Sequence, residues 1–518
     1  MKTYDLCKLL LLPAAVSLAA CGNDTMTSAS GGGSSGGIQT TGATTSTSGT
    51  PTTSASASAT DGSASATEGM TSSAPTTTAT TGSMTSGTTS GPGTTTGMGT
   101  TAVEGTTTGM GTTGGTTMGV EPGSTGTTGG GSTGMMSGGS STGGPPPLCQ
   151  PGDGMGMGMV DKSYIWINNQ DSGTIAKVNT QTLIEEARYR TGPSGGTESP
   201  SRTAVSADGR FVVANGRGTG RSTMFASDKA ACVDKNGNGM IDTSTGPNDI
   251  KAWGADECQL WTIVHPFAGG FSTGPRGVTW TAGTWDYDLC KYVEPKVWLG
   301  YLAAGGIAHI VRIDGLTGVV EVTLPVPAFV GSGYAPYGGA LDPQFRPWFT
   351  GLRGEAIRVN TDQNPITVSR FPAPGNVQAY GMTVDSDGNV WTGGCSGPVS
   401  MFDPVANQWI SIAGTSACHR GIGAGDQYVW VASNSPCGLV QIDRKSRTLV
   451  TKHTPPGCSV AIGISIDVEN YLWLVDQSGF AWKINQDNVQ WDKKVTVPGS
   501  HYVYSDMTGG QLLSVLPQ

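Results

Sequence analysis

Six residues beyond position 200, Arg202, Arg276, Tyr337, Tyr380, His419 and Arg420, recur at comparable places in a chain of 518 residues, each where a short apolar run begins. Guanidinium groups grip carboxylate or phosphate in a fork, and tyrosines add hydroxyls and flat faces, so this set suits an anionic or carbohydrate-like ligand. The competing use of such arginines is to bond backbone carbonyls and seal a channel. His419 is the one candidate general base among the six, and no carboxylate stands at an obvious matching place beside it. No Gly-x-Ser-x-Gly elbow, His-Glu-x-x-His helix or phosphate loop occurs either. His265, His309, His453 and His501 are scattered singly and read as packing or surface residues. That balance favours binding over catalysis.

A second cluster is Asp234, Asn236, Asn238 and Asp242, with Gly239 and Ile241 between. Oxygen side chains at positions one, three, five and nine, a glycine at six and an apolar residue at eight match the calcium loop of EF-hand and dockerin modules. The glycine permits the sharp turn, the oxygens converge on a hard cation, and Met240 offers its backbone carbonyl. Thr245 stands where the bidentate glutamate belongs, so Asp249, Asp256 or Glu257 would have to supply that carboxylate. The expected role of calcium is to brace a long loop.

The elements that carry these residues repeat. Ala379 to Trp391, His419 to Trp430 and Ala461 to Trp473 each read as a short apolar strand, a polar turn and a strand bearing Trp. Asp387-Gly388, and Asp208-Gly209 in an earlier copy, are hairpin signals because Gly accepts positive φ. The Trp column continues through Trp348, Trp298 and Trp166, with Val212 or Val213 in one copy. A third strand ends on an apolar residue followed by Asp or Asn, as at Ile313-Asp314, Phe402-Asp403 and Ile442-Asp443, and a fourth follows. Starts near Tyr164, Ser201, Pro275, Pro336, Tyr380, His419 and Ala461 predict an all-β, seven-bladed β-propeller of four-stranded antiparallel blades over 148–518. The first copy opens on its Trp strand, so its inner strand is expected from the C-terminus, from Tyr504-Ser505-Asp506-Met507 through Leu512-Leu513. The six candidate residues would then encircle the central opening.

The pattern resembles the NHL-type and streptogramin-lyase-like (virginiamycin B lyase-like) propellers of bacteria, most visibly in Arg346-Pro-Trp-Phe-Thr-Gly351, Ala356-Ile-Arg-Val-Asn360 and Phe371-Pro372. That resemblance implies, as an alternative to a binding module, a divalent-metal-dependent lyase or a lactonase-like hydrolase at the central channel, with His419 as base. In the lyases a Glu often follows the Trp-Phe-Thr sequence; here Gly351 does.

Ten cysteines are present, and Cys7 and Cys21 fall in the N-terminal leader. Cys395 and Cys437 hold equivalent places after the Trp strand, while Cys418 and Cys458 precede the next copy, which predicts Cys395–Cys418 and Cys437–Cys458. Locality pairs Cys232 with Cys258 and leaves Cys149 with Cys290. An even count suits an exported protein.

The net charge is −9, and there is no basic run, which removes the electrostatic footprint of a nucleic-acid partner. Residues 22–147 are Thr, Gly, Ser and Met with scattered Ala and Pro. They lack the apolar mass to offset the entropy of ordering and read as a disordered low-complexity tether. Residues 1–21 combine Lys2 and Lys8, an apolar stretch too short to span a bilayer, and Leu18-Ala-Ala-Cys21. This resembles the lipobox of bacterial lipoproteins. It implies a lipidated Cys21 and a lipid-anchored position on the outer membrane or cell surface, with Gly22 in place of the Asp known as a retention signal. A monomer facing an unknown surface ligand, glycan or protein is the expected state.

Overall fold

The computed structural model describes residues 163–516; Cys21, the leader, the tether and Cys149 lie outside the described residues. Runs of β-branched and aromatic residues closed by Asp, Asn and Gly turns give short antiparallel strands, as period-two burial dictates. The first sheet carries Tyr164–Asn169, Thr174–Asn179 and Glu185–Arg190. The second carries Pro200–Val205, Phe211–Gly216, Arg221–Ala226 and, after a long insertion, Gln259–Val264. In the third, Val278–Thr281 precedes Lys296–Leu302, Ala308–Asp314 and Val320–Val326, with an unforeseen hairpin, Thr284–Asp286 and Lys291–Val293, between the first two. The fourth is Gly338–Leu341, Pro347–Thr350, Ala356–Asn360 and Thr367–Phe371.

The fifth unit, Ala379–Val384 to Gln408–Ser411, and the sixth, Ala417–Ala424 to Thr448–His453, join into one eight-stranded sheet where Cys395 pairs with Cys418. The last sheet runs from Ala461–Ile466 to Lys494–Thr496. No helix among the described residues is long and apolar enough to cross a membrane.

Trp166, Trp298, Trp348, Trp391, Trp430 and Trp473 are all buried between sheets. A buried indole N–H needs an acceptor, and three copies supply it identically. Asp385 accepts the backbone N–H of Asp387 and Asn389 at 3.0 and 2.9 Å and the Trp391 Nε1–H at 2.8 Å. Asp342 and Asp467 do the same for Trp348 and Trp473. One carboxylate six residues ahead of the Trp thus caps the turn and satisfies the indole. In the sixth unit the turn is one residue shorter, Gly425 stands at its start five residues ahead of Trp430, and Gln486 of the last sheet accepts from Trp430 at 2.8 Å.

The innermost strands bulge at their beginnings. Register shifts fall between Pro200 and Arg202, Ala379 and Met382, His419 and Ile422, and Ala461 and Gly463. A bulge re-aims a side chain and bends the strand. The residue after it must be small. A Cβ on Gly381 would lie 2.0 Å from the Arg420 carbonyl oxygen, and one on Gly421 would lie 2.7 Å from the Ile464 nitrogen. Backbones of neighbouring sheets touch there.

The C-terminal segment lies along the first strand: Trp166 N–H donates to the Met507 carbonyl at 2.9 Å, and Tyr502 N–H to the Asn168 carbonyl at 3.2 Å. Its far side meets the second sheet, where Ser505 Oγ donates to the Thr203 carbonyl at 2.6 Å. The expected strand through Leu512-Leu513 is instead a single helical turn, Gly510–Leu513. Asp506 accepts from the N–H of Thr508 and Gly509, and Gly509 takes φ +87°, so the chain turns out of the strand and packs Leu512 into the core.

Candidate functional site

Five of the six predicted residues meet in one buried cluster. Arg202 is wholly buried; its Nε donates to the Tyr337 carbonyl at 3.1 Å, and its Cζ lies 3.2 Å from the Tyr504 ring centre and 4.7 Å from that of Tyr337. Arg276 donates Nη2 to the Phe271 carbonyl at 3.0 Å and faces the Tyr337 ring at 4.8 Å. Arg420 donates to the hydroxyls of Tyr380 and Tyr502. The hydroxyls of Tyr337, Tyr380, Tyr502 and Tyr504 close a network at 2.8–3.3 Å. Among the described residues no carboxylate forms an ion pair with Arg202 or Arg420. Burial opposes charge on the Arg420 guanidinium, but the phenol oxygens of Tyr380, Tyr502, Tyr504 and Tyr337 more than offset it, so it stays charged. Burial likewise holds the Tyr504 hydroxyl well above its ordinary range.

His419 stands apart from that network. It is fully buried, its Nδ1 pairs with the Gly394 carbonyl at 2.8 Å, and burial pulls it down to about 4. A carbonyl can only accept, so the neutral ring carries its proton on Nδ1. His265 and His501 are also pulled down to about 4 by burial; His265 pairs with Ser222 Oγ, and His501 with the carbonyls of Asp476 and Val497. These imidazoles are packing residues with backbone or hydroxyl partners.

Three members of the cluster escaped the sequence reading. Tyr504 occupies the same place in its segment as Arg202, Arg276, Tyr380 and Arg420 do in theirs, ahead of a small residue, and that column was the available signal. Tyr502 and Arg217 belong to no such column. Arg217 is buried with its Cζ 3.9 Å from both the Phe271 and Tyr502 rings.

In the calcium-type loop the side-chain oxygens of Asn236 and Asn238 accept from the N–H of Asn238 and Met240 at 2.9 and 2.8 Å. Asp234 accepts from the N–H of Gly237 and Gly239 at 2.6 and 2.8 Å, and these backbone donors, Gly239 foremost, hold its carboxyl below the usual range. The amides of Asn236 and Asn238 both reach Asp242 Oδ2, at 2.8 and 2.9 Å. The oxygens of these four side chains suit a hard cation. None of the three carboxylates considered for the twelfth position is free for it. Glu257 accepts from the N–H of Lys235, Asn236 and Asp242, Asp256 from Thr243, Ser244 and Cys258, and Asp249 from Thr245 and Lys251.

Disulfides join Cys232 to Cys258, Cys395 to Cys418 and Cys437 to Cys458. Cys290 is disulfide-bonded too, and its expected partner Cys149 lies outside the described residues. The sulfurs of Cys437 and Cys458 sit near the Asp476 carboxylate, but a disulfide offers no thiolate to a metal.

No family model and no curated protein matches this chain. Among solved structures it is similar to apo AztD from Citrobacter koseri, at 10% identity over 66% of this chain and 97% of that one, with a TM-score of 0.42. A 6-phosphogluconolactonase candidate from Bacteroides uniformis shares 14% identity over 67% and 98%, with a TM-score of 0.45. A Lactobacillus plantarum protein shares 14% over 66% and 98%, with a TM-score of 0.46.

Proposed function

We propose that the chain is a lipid-anchored, extracytoplasmic binding module whose strands form a closed ring of seven blades and whose mouth takes an anionic ligand. Ring closure is supported by the successive backbone approaches at Gly277, Gly381, Gly421 and Gly463, and by the C-terminal segment bonded to both the first and second sheets. The lipobox at Cys21 and the long tether support an anchor that stands the ring clear of the membrane. Calcium at Asp234, Asn236, Asn238, Met240 and Asp242 belongs to the same proposal, as a brace for the insertion.

One observation carries the ligand class: Arg202 is buried against aromatic rings and backbone carbonyls and Arg420 against tyrosine rings and hydroxyls, with no carboxylate partner among the described residues. Taking a guanidinium out of water costs several kcal/mol, and a desolvated cation–π contact returns about 2 kcal/mol. The remainder is a positive potential that an incoming anion would satisfy. The lyase alternative requires His419 as a base beside a carboxylate pair. Among the described residues no carboxylate clusters with His419, which supports binding over that chemistry.

The test is calorimetric titration of the full chain with a panel of carboxylates, sulfate and phosphate. Arg420→Met, which keeps most of the side-chain volume, should weaken whatever acid binds by about tenfold or more. Affinity unchanged in that variant, with an unchanged melt, would remove the anionic ligand from the mouth.

A further inference from the structure

Beside the arginine–tyrosine cluster lies a cavity of about 680 Å³ with Gln170, Asp171, Thr197, Ser199 and Phe271 in its walls. That volume is in the range of small-molecule sites. Three of these wall groups are held by Arg217, which sits directly behind them: its Nη2 donates to Gln170 Oε1 at 2.8 Å, its Nε donates to Ser199 Oγ at 3.1 Å, and its guanidinium stacks on Phe271. Phe271 also receives Arg276, through its carbonyl and at 5.2 Å from its ring. Two buried cations, Arg217 and Arg276, therefore stand against the wall of this open pocket and lend it positive potential.

The wall is built to be rigid. Ser199 is buried with φ +44° and ψ +60°, a left-handed conformation that costs a non-glycine residue energy and marks a place where the surroundings enforce geometry. The enforcing group is Glu198, fully buried, which accepts from the Ser194 N–H at 3.1 Å and from the Thr219 hydroxyl. Gly192 wraps that carboxylate so closely that a Cβ would fall 2.1 Å from it. Ser199 Oγ is thereby fixed at the cavity wall as the acceptor for Arg217.

We propose that this cavity is the ligand pocket of the mouth and that its ligand is an acidic sugar. The pyranose face would lie on Phe271, the carboxylate would take the place of Gln170 Oε1 against Arg217, and Asp171 and Thr197 at the exposed rim would meet ring hydroxyls. This rests on the anionic-ligand reading above and adds the pocket, the residues and the chemical class.

The experiment titrates the full chain with D-glucuronate and D-glucose. Glucuronate is expected to bind at millimolar concentration or below and glucose about tenfold more weakly. Phe271→Ala should weaken glucuronate by about tenfold with an unchanged melt, because the stacking platform is lost. Gln170→Glu is the sharper variant. It sets a carboxylate of the protein itself against Arg217, so the preference for glucuronate over glucose should vanish while any binding of glucose persists. Equal binding of the two sugars by the unaltered chain, no binding of either, or glucuronate affinity untouched by both variants would overturn the pocket. If Arg420→Met abolishes acid binding while Phe271→Ala and Gln170→Glu leave it unchanged, the pocket is wrong and the mouth reading survives. Loss in the two pocket variants alone supports the pocket and removes Arg420 from the role given to it above.

Discussion

At the scale of single residues, burial decides what each titratable group can do. His419 and Arg420 are adjacent in sequence, yet one is a neutral ring bonded to a carbonyl and the other a retained cation among phenols. Asp506 shows the same principle with a measurable consequence. Its side chain is largely but not wholly shielded from water, and burial pushes its carboxyl up to about 6 although the N–H groups of Thr508 and Gly509 pull the other way. A carboxyl whose folded pKa exceeds its unfolded value adds stability that is complete below the unfolded pKa, near 4, and is lost as pH rises through the folded one. This group alone should therefore lower stability by about 3 kcal/mol between pH 4 and pH 7. Urea melts at several pH values would read that slope, and Asp506→Asn should remove it. Equal slopes in both proteins would assign the titration to another group.

At the scale of elements, the repeated unit solves two problems with few residues. The aspartate six places before the Trp satisfies a turn and an indole together, and the bulge with its small residue lets neighbouring backbones close up. The insertion in the second sheet solves a third. Its Cys232–Cys258 disulfide and the hydrogen bonds of Glu257 hold a loop of polar residues in one shape, and Ser244 Oγ accepts the Arg188 N–H at 2.9 Å, docking the insertion on the outer strand of the first sheet. If calcium completes this brace, adding it to metal-free protein should raise the melting temperature by a few degrees, since a bound ion stabilises the folded state by mass action. Asp234→Asn should remove the rise. A rise that persists in that variant would place the ion elsewhere, and no rise in the unaltered chain would leave the loop held by its hydrogen bonds alone.

At the scale of the whole molecule, the C-terminal segment from His501 to Met507 bridges the first and second sheets. It runs along the edge of the first sheet, supplies Tyr502 and Tyr504 to the arginine–tyrosine cluster and bonds across to Thr203. Ending the chain at Gly499 should leave an exposed sheet edge and an incomplete cluster, and the product is expected to lose its cooperative melt and aggregate. A monomer melting like the intact chain would sink the closed ring. The repeat, the Trp column, the antiparallel strands and three cysteine pairings were legible in the sequence because each rests on local spacing: period-two burial, turn residues and equivalent places in successive copies. The shared aspartate acceptor is equally local, written in Asp342, Asp385 and Asp467 six residues ahead of each Trp. Tertiary structure alone decided the rest. Arg217 joins the arginine–tyrosine cluster because segments distant in sequence bring the Phe271 and Tyr502 rings against it. Gly510–Leu513 is a helical turn because Asp506 gathers the N–H groups that follow it. Glu257 and Asp256, near in sequence to position twelve of the calcium-type loop, accept backbone N–H groups of the insertion instead. Spacing along the chain states which residues recur, and only packing states which groups they meet and whether water reaches them.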